Sequence, residues 1–298
     1  MGPKLDDNIS SAADRTIVIT GGNSGIGRAA AAMLAGMDAH VVLAVRDTAK
    51  GRAAAESMRG SVDVRRLDLA DLSSVRAFAD QFTDPIDILI NNAGIMVPPL
   101  GRTADGFELQ FGTNHLGPFA LTNLLLPQIR DRVVTVSSIG HRSGAIDFKD
   151  LSWERKPYRP MAAYGQSKLA NLLFTSELQR RLTEVSSPVI ATAAHPGLAA
   201  TNLFGRSGDR VRDVLSSAAI GLISQSEQQG CLPTLCAATA NIPGNSYVGP
   251  GSFKQTRGEP KLVGRSAEAK DPEVARRLWT VSEELTGAGF PELSGEEL

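Results

Sequence analysis

The stretch Thr16-Ile17-Val18-Ile19-Thr20-Gly21-Gly22-Asn23-Ser24-Gly25-Ile26-Gly27 passes from a β-branched run through a cluster of glycines into a helical pattern. Residues 16 to 20 have the composition of a buried strand. Beyond the glycines, Ile26, Ala30, Met33, Leu34 and Met37 fall on one helical face. A strand, a glycine turn and a helix in that order bring bare backbone amides and a helix N-terminus up to a phosphate. The glycines are spaced G-x-x-x-G-x-G rather than G-x-G-x-x-G. A tight turn with a glycine where helix meets strand would leave the same trace, so this stretch alone admits both readings.

Working outward, strand-like runs recur at Thr16–Thr20 and His40–Val45, at 62–67, 86–90, 133–137 and 189–194, and near 246–248, with helical patterns between them. Asp71 is placed to cap a helix over 72–82, and Asp271-Pro272 to open a terminal helix running past Leu278 to Leu285. Strands alternating with helices predict an α/β fold: a Rossmann-type doubly wound parallel sheet with helices on both faces. No linker, charge block or repeat divides the chain, so 1–298 reads as one domain, with a flexible start at 1–14 and a helix and tail at 265–298. In such sheets ligands bind beyond the carboxyl ends of the strands. The glycine turn, Arg46, Asp68, Asn91 to Gly94, Ser138 and Pro196-Gly197 all stand at those ends, which argues for one shared site.

Tyr164 and Lys168, in AAYGQSKLANLLF, lie four apart in a segment whose apolar residues Leu169, Leu172, Leu173 and Leu178 predict a helix over 163–182. A tyrosine titrates near ~10. Bringing it to about 7 takes roughly 4 kcal/mol, which one unit charge at ~4 Å supplies in a partly screened site. An ammonium one helical turn away is therefore enough to make a phenol a proton-transfer group. A Y-x-x-x-K spacing also arises by chance on many helices.

Read in order, TGGNSGIG, Asn91-Asn92-Ala93-Gly94, Asn114, Ser137-Ser138, Tyr164 with Lys168, and His195-Pro196-Gly197 resemble the short-chain dehydrogenase/reductase family over almost the whole chain. The wording TGGNSGIG, AVRD at 44–47, AYGQSKLANLLF and HPGLAATNL is similar to its retinol dehydrogenase, WW-domain oxidoreductase and protochlorophyllide reductase-like branch. The resemblance implies hydride transfer between a nicotinamide and a carbonyl or alcohol, a small-molecule substrate. It makes Tyr164 the proton donor, Lys168 the group that stabilises its anion and bonds the nicotinamide ribose, and Asn114 the holder of a water-linked proton path. Ser138 would bond the substrate oxygen, with Ser137 as the alternative. Gly21, Asn23, Ser24, Gly25, Ile26 and Gly27 would form the cofactor turn. Asp68 and Leu69 would meet the adenine, Asn91, Ala93 and Gly94 the ribose side, Pro196 and Gly197 the nicotinamide, and Thr201 its carboxamide or the phosphates.

Cofactor preference turns on the end of the second strand. An acid there bonds the ribose hydroxyls of NAD(H), whereas an arginine accommodates the 2′-phosphate of NADP(H). In the family the acid falls at position 45, which is Val45 here, and Arg46 follows. NADP(H) is therefore expected over NAD(H), with Asp47 as a competitor if the strand end shifts by one residue.

A net charge of −1 offers no basic surface for nucleic acid or anionic lipid. The polar first fifteen residues and the lack of a long apolar stretch predict a cytoplasmic protein without stable membrane insertion. Monomer and homodimer are both open. Cys231 and Cys236 read as reduced, half-buried thiols on a helix. His115, His141 and His195 lack metal-ligand spacing, so no metal is expected. Segment 201–230, glycine-interrupted with apolar Leu203, Phe204, Val211, Val214 and Leu215, suits a lid over an apolar pocket walled by Ile95 to Leu100; an ordinary surface helix is the alternative. A nucleotide-sensing regulator without turnover is a competing function, disfavoured because Asn114, Ser138, Tyr164 and Lys168 are all present.

Overall fold

A computed structural model describes residues 12–197 and 226–292. Its strands are β1 (Thr16–Thr20), β2 (His40–Val45), β3 (Ser61–Arg66), β4 (Ile86–Asn91), β5 (Ile129–Val136), β6 (Ile190–Ala194), β7 (Tyr247–Ser252) and β8 (Arg257–Leu262). They form one sheet in the order β3-β2-β1-β4-β5-β6-β7-β8. Every pairing is parallel except β7 with β8, which is antiparallel. The chain reverses direction across the sheet between β1 and β4, and that switch point opens a crevice at the carboxyl ends.

The described helices are α1 (Gly25–Ala35), α2 (Thr48–Ala55), α3 (Leu72–Ala79), the short α4 (Leu109–Phe111), α5 (Gly117–Leu125), α6 (Pro160–Glu184), α7 (Glu227–Thr239) and α8 (Pro272–Thr286). Alternate strand residues face opposite layers, as a pleated strand requires. Ile17, Ile19, Val41 and Leu43 pack under α1 and α7 with Leu34 and Leu235. Val18, Val42 and Leu89 face the other way, against Phe78, Phe119, Phe174 and Trp279. Trp279, from α8, stacks on Phe174 with ring centroids 5.7 Å apart and meets Phe119 edge-on at 4.9 Å.

Most sequence expectations hold to within a few residues. The fifth strand starts at Ile129 rather than 133, because Ile129 already pairs with Ile86 of β4. The helix expected over 163–182 begins at Pro160, whose missing N–H is harmless in a first turn, and the one expected over 72–82 ends at Ala79. Asp71 and Asp271 cap as expected, each accepting two backbone N–H groups. Residues 12–14 belong to the folded part, since Ala12 is buried in the core and the Asp14 amide donates to Asp38. Cys231 and Cys236 are fully buried, not half-buried, and burial pushes the Cys231 thiol up to about 12. The edge strand β8, with Gly258 and Pro260 among charged residues, had no readable pattern. The expected lid lies mostly outside the described residues, and 227–230 of it belong to α7.

Candidate active site

A cleft of about 940 Å³ runs along the carboxyl edge of the sheet. Its floor is the glycine turn. Gly21 has φ +68°, a conformation open to glycine, and a Cβ there would lie 3.0 Å from that of Ala93. At Gly27 a Cβ would lie 2.3 Å from Asn92 Nδ2 and 2.6 Å from the Gly21 carbonyl, so backbone packing fills the space a side chain would need. Asn92 is fixed there by donating through Nδ2 to the Thr20 carbonyl at 2.8 Å. Thr20 Oγ1 accepts the amides of Asn92 at 3.0 Å and Ala93 at 2.9 Å, tying the end of β1 to the loop after β4. Ser24 is the N-cap of α1 but makes no side-chain cap, and the first turn carries no acid. The open amides and bare helix N-terminus therefore fit an anionic group such as a dinucleotide pyrophosphate.

Arg46 and Lys50 stand on the cleft wall beyond β2. Arg46 is exposed and has no ion-pair partner among the described residues. Asp47 is otherwise engaged: its carboxylate caps α2 by accepting the Lys50 amide at 3.0 Å and pairs with Lys50 Nζ at 3.4 Å. Asp68 and Leu69 line the same end, with Asp68 Oδ1 accepting the Ala70 amide at 3.0 Å.

At the other end Ser138, Tyr164 and Lys168 meet. Ser138 follows β5 and caps a 3-10 turn, its Oγ accepting the Gly140 amide at 3.1 Å. Ser137 is committed elsewhere: its hydroxyl donates to the Lys168 carbonyl at 2.7 Å, which favours Ser138 as the substrate-facing serine. His141 accepts the Ser266 amide at Nε2, 3.2 Å away, so Nδ1 carries the proton and donates to the Ser138 carbonyl at 2.6 Å. Burial holds the Tyr164 hydroxyl above its ordinary value, with the Ser138 hydrogen bond pulling the other way. Burial lowers Lys168 to about 8, and its Nζ donates to the Val136 carbonyl at 3.1 Å. The expected lowering of the phenol is thus corrected, since burial raises it; Lys168 Nζ lies over the Tyr164 ring, 5.8 Å from its centre.

Asn114 lies in a π turn (Gly112–Leu116) between α4 and α5. It does not face the cleft directly; it brackets Ile95, accepting its amide at 2.8 Å and donating to its carbonyl at 2.9 Å. A Cβ on Gly94 would lie 3.2 Å from Asn114 Oδ1 and 3.3 Å from Lys168 Nζ, so these groups converge behind Gly94. Asn91 is the exception among the expected cofactor residues. It points into the core, donating to Thr122 Oγ1 at 2.8 Å, while Asn92, Ala93 and Gly94 line the cleft. Pro196 and Gly197 wall the far side, and Thr201 lies outside the described residues. Ile95, Met96, Ile139 and Met161 give the region around Tyr164 an apolar wall. Sequence reasoning missed Lys50, Gly140 and Met161, and it gave no individual role to Thr20 and Asn92, although both stand in the motifs it used. Gly140 carried no signal in the sequence; a Cβ there would lie 3.1 Å from the Tyr164 ring.

His115 and His195 are buried, which lowers each to about 3 and keeps them neutral. Among the described residues no three His, Cys, Asp or Glu side chains gather to hold a metal ion, and no helix is long and apolar enough to cross a membrane.

A glycine-floored crevice at the switch point of a doubly wound sheet, ending in a serine, a tyrosine and a lysine, defines a dinucleotide-dependent oxidoreductase. The short chain dehydrogenase family model matches residues 15–211, and the chain belongs to that family, in its retinol dehydrogenase branch. It is 42% identical to human retinol dehydrogenase 13 over 95% of this chain and 88% of that one. Mouse polyprenol dehydrogenase is 39% identical over 94% of this chain and 86% of its own length. Among solved structures, an uncharacterized protein from Mycobacterium Paratuberculosis is 52% identical, covers 98% of this chain and 100% of its own, and superposes with a TM-score of 0.83. A Beutenbergia cavernae protein described by similarity as an NAD(P) dependent gluconate 5-dehydrogenase, with NADP bound at low occupancy, is 26% identical, covers 77% of this chain and 91% of its own, and has a TM-score of 0.58. The protein is accordingly an NAD(P)-dependent enzyme acting on alcohols or their carbonyl counterparts.

Proposed function

We propose that this enzyme uses NADP(H) and acts on a hydrophobic carbonyl compound or alcohol. The observation that carries the cofactor preference is the division of labour after β2. Asp47 is spent on capping α2 and on Lys50, while Arg46 stands exposed on the cleft wall without a carboxylate. An exposed guanidinium fits a 2′-phosphate with charge-assisted hydrogen bonds, and the carboxylate that would bond a ribose diol is already engaged.

The cofactor supplies or accepts the hydride when bound. Tyr164 gives its hydroxyl proton to the carbonyl oxygen during reduction and takes the alcohol proton during oxidation. The Ser138 hydroxyl, held by Gly140 and by the His141 hydrogen bond to its carbonyl, donates to the same oxygen and orients it. Lys168 has N–H donors beyond the one given to Val136, and these suit a ribose hydroxyl or a water leading towards Asn114. Ile95, Met96, Ile139 and Met161 favour a substrate that is apolar next to its reacting carbon. The relatives named for retinol and polyprenol, both long apolar alcohols, support that choice.

The test titrates NADPH and NADH against the protein by thermal shift. Oxidation or reduction of an aldehyde and alcohol panel is then followed at 340 nm. NADPH should bind at least ~10-fold tighter, as one charge-assisted bond implies, and apolar compounds should outcompete polyols. Equal binding of the two cofactors, or a preference for polyols, would overturn the proposal.

A further inference from the structure

The loop after β4 carries Ile95 and Met96 into the cleft, and the next residue, Val97, has φ +55°. A β-branched side chain in the left-handed region is a genuine outlier, and strain of that kind persists only where the surroundings impose it. One buried side chain holds the Val97 amide. Gln110, wholly buried, accepts the Val97 amide through Oε1 at 2.9 Å. Its Nε2 donates to the Tyr158 hydroxyl at 2.8 Å and to the Pro160 carbonyl at 2.9 Å. A backbone N–H on one side and a backbone carbonyl on the other leave the amide a single orientation. The network continues inward: the Tyr158 hydroxyl donates to Glu108 Oε1 at 2.9 Å, and the buried Glu108 accepts the amides of Gln110 and Phe111. Pro160 is the first residue of α6, one turn before Tyr164. Gln110 therefore joins the substrate-facing loop to the start of the helix that carries the proton donor. Asn114, four residues on, holds Ile95 of the same loop.

We propose that Gln110 is a positioning residue for the substrate side of the cleft: it clamps Val97 in its strained conformation and so fixes Ile95 and Met96 against the apolar part of the substrate. The substrate clause rests on the apolar-substrate reading above; the clamp itself does not.

The experiment compares wild type, Gln110→Met, Val97→Gly and the double variant. One readout is hydrogen exchange of the Ile95 amide, whose acceptor Asn114 is unchanged in all four proteins, and the other is decanal reduction by NADPH. Gln110→Met should speed exchange of this amide about 10-fold, the scale of the strain released. It should raise the KM for decanal several-fold while NADPH affinity and kcat stay within about two-fold. The double variant should recover most of both losses, because glycine takes φ +55° without a clamp. Unchanged exchange in Gln110→Met, or a double variant as impaired as the single, would overturn the proposal. If Gln110→Met does not fold, the double variant decides: folding with wild-type exchange supports the clamp, and failure to fold shows Gln110 to be only a core polar group. A wild type inactive on decanal would count against the apolar-substrate reading, while exchange would still decide the clamp.

Discussion

Lys168 Nζ stands over the face of the Tyr164 ring, 5.8 Å from its centre, and gives a hydrogen bond to the Val136 carbonyl at 3.1 Å rather than to the phenol oxygen. Both groups are buried, and burial dominates both: it holds the tyrosine above its ordinary value and draws the lysine down to about 8. Desolvation penalises whichever form is charged, so each group is held towards neutrality. At the phenol, burial outweighs the Ser138 hydrogen bond that pulls the other way.

The depressed Lys168 value makes the lysine a stability cost at neutral pH. The unfolded lysine keeps its proton up to about 10.5 and the folded one up to about 8, so between those values the unfolded chain binds more protons and stability rises with pH. The span corresponds to about 3 kcal/mol. Lys168→Met should be more stable than wild type at pH 7, and the gap should close as pH rises from 8 to 10.5. The Val136 carbonyl is not orphaned by the change, since Asn171 also donates to it at 3.1 Å. Urea unfolding of both proteins across that range checks the sign.

Removing Arg46 tests the cation beyond β2. Arg46→Ala should weaken NADPH binding about 10-fold or more and leave NADH binding within about two-fold, because a charge-assisted bond to phosphate is worth about 1.5–3 kcal/mol. Lys50→Ala should show a smaller loss, since Lys50 also pairs with Asp47. Calorimetric titration of the two cofactors reads both.

Gly27→Ala introduces a Cβ 2.3 Å from Asn92 Nδ2, on a side chain tied to the Thr20 carbonyl, and 2.6 Å from the Gly21 carbonyl. Neither neighbour can retreat without opening the turn. The variant should fold with a loss of about 1–3 kcal/mol and bind either cofactor at least ~10-fold more weakly. A thermal melt with and without NADPH would show both.

Trp279→Ala empties a site between Phe119 and Phe174 and removes the indole N–H bond to Glu283 at 2.6 Å. The expected loss is about 3–5 kcal/mol, the usual cost of a buried large aromatic. Denaturant unfolding measures it.

The parallel layer was legible because its strands are continuous β-branched runs between glycine or capping signals: Thr16–Thr20 and His40–Val45 match the structure residue for residue. The edge strand β8 escaped because it buries little and so has no hydrophobic pattern. At the site, the residue types were legible and the orientations were not. Asn91 and Asn92 are identical in sequence, and only the pleat turns Asn91 into the core and Asn92 towards the glycine turn. Asp47 and Arg46 competed until the start of α2 claimed the carboxylate. Gln110 carried no signal, since its role depends on the left-handed Val97.

Tyr164→Phe removes the proton donor itself. The change removes one oxygen from a buried ring and leaves the turn, Arg46 and Lys168 in place. Turnover of an apolar aldehyde with NADPH, followed at 340 nm, should fall by about 10² or more, the usual range for loss of a general acid, with NADPH affinity nearly unchanged. Wild-type turnover by Tyr164→Phe on the substrate that the native enzyme reduces would contradict the account.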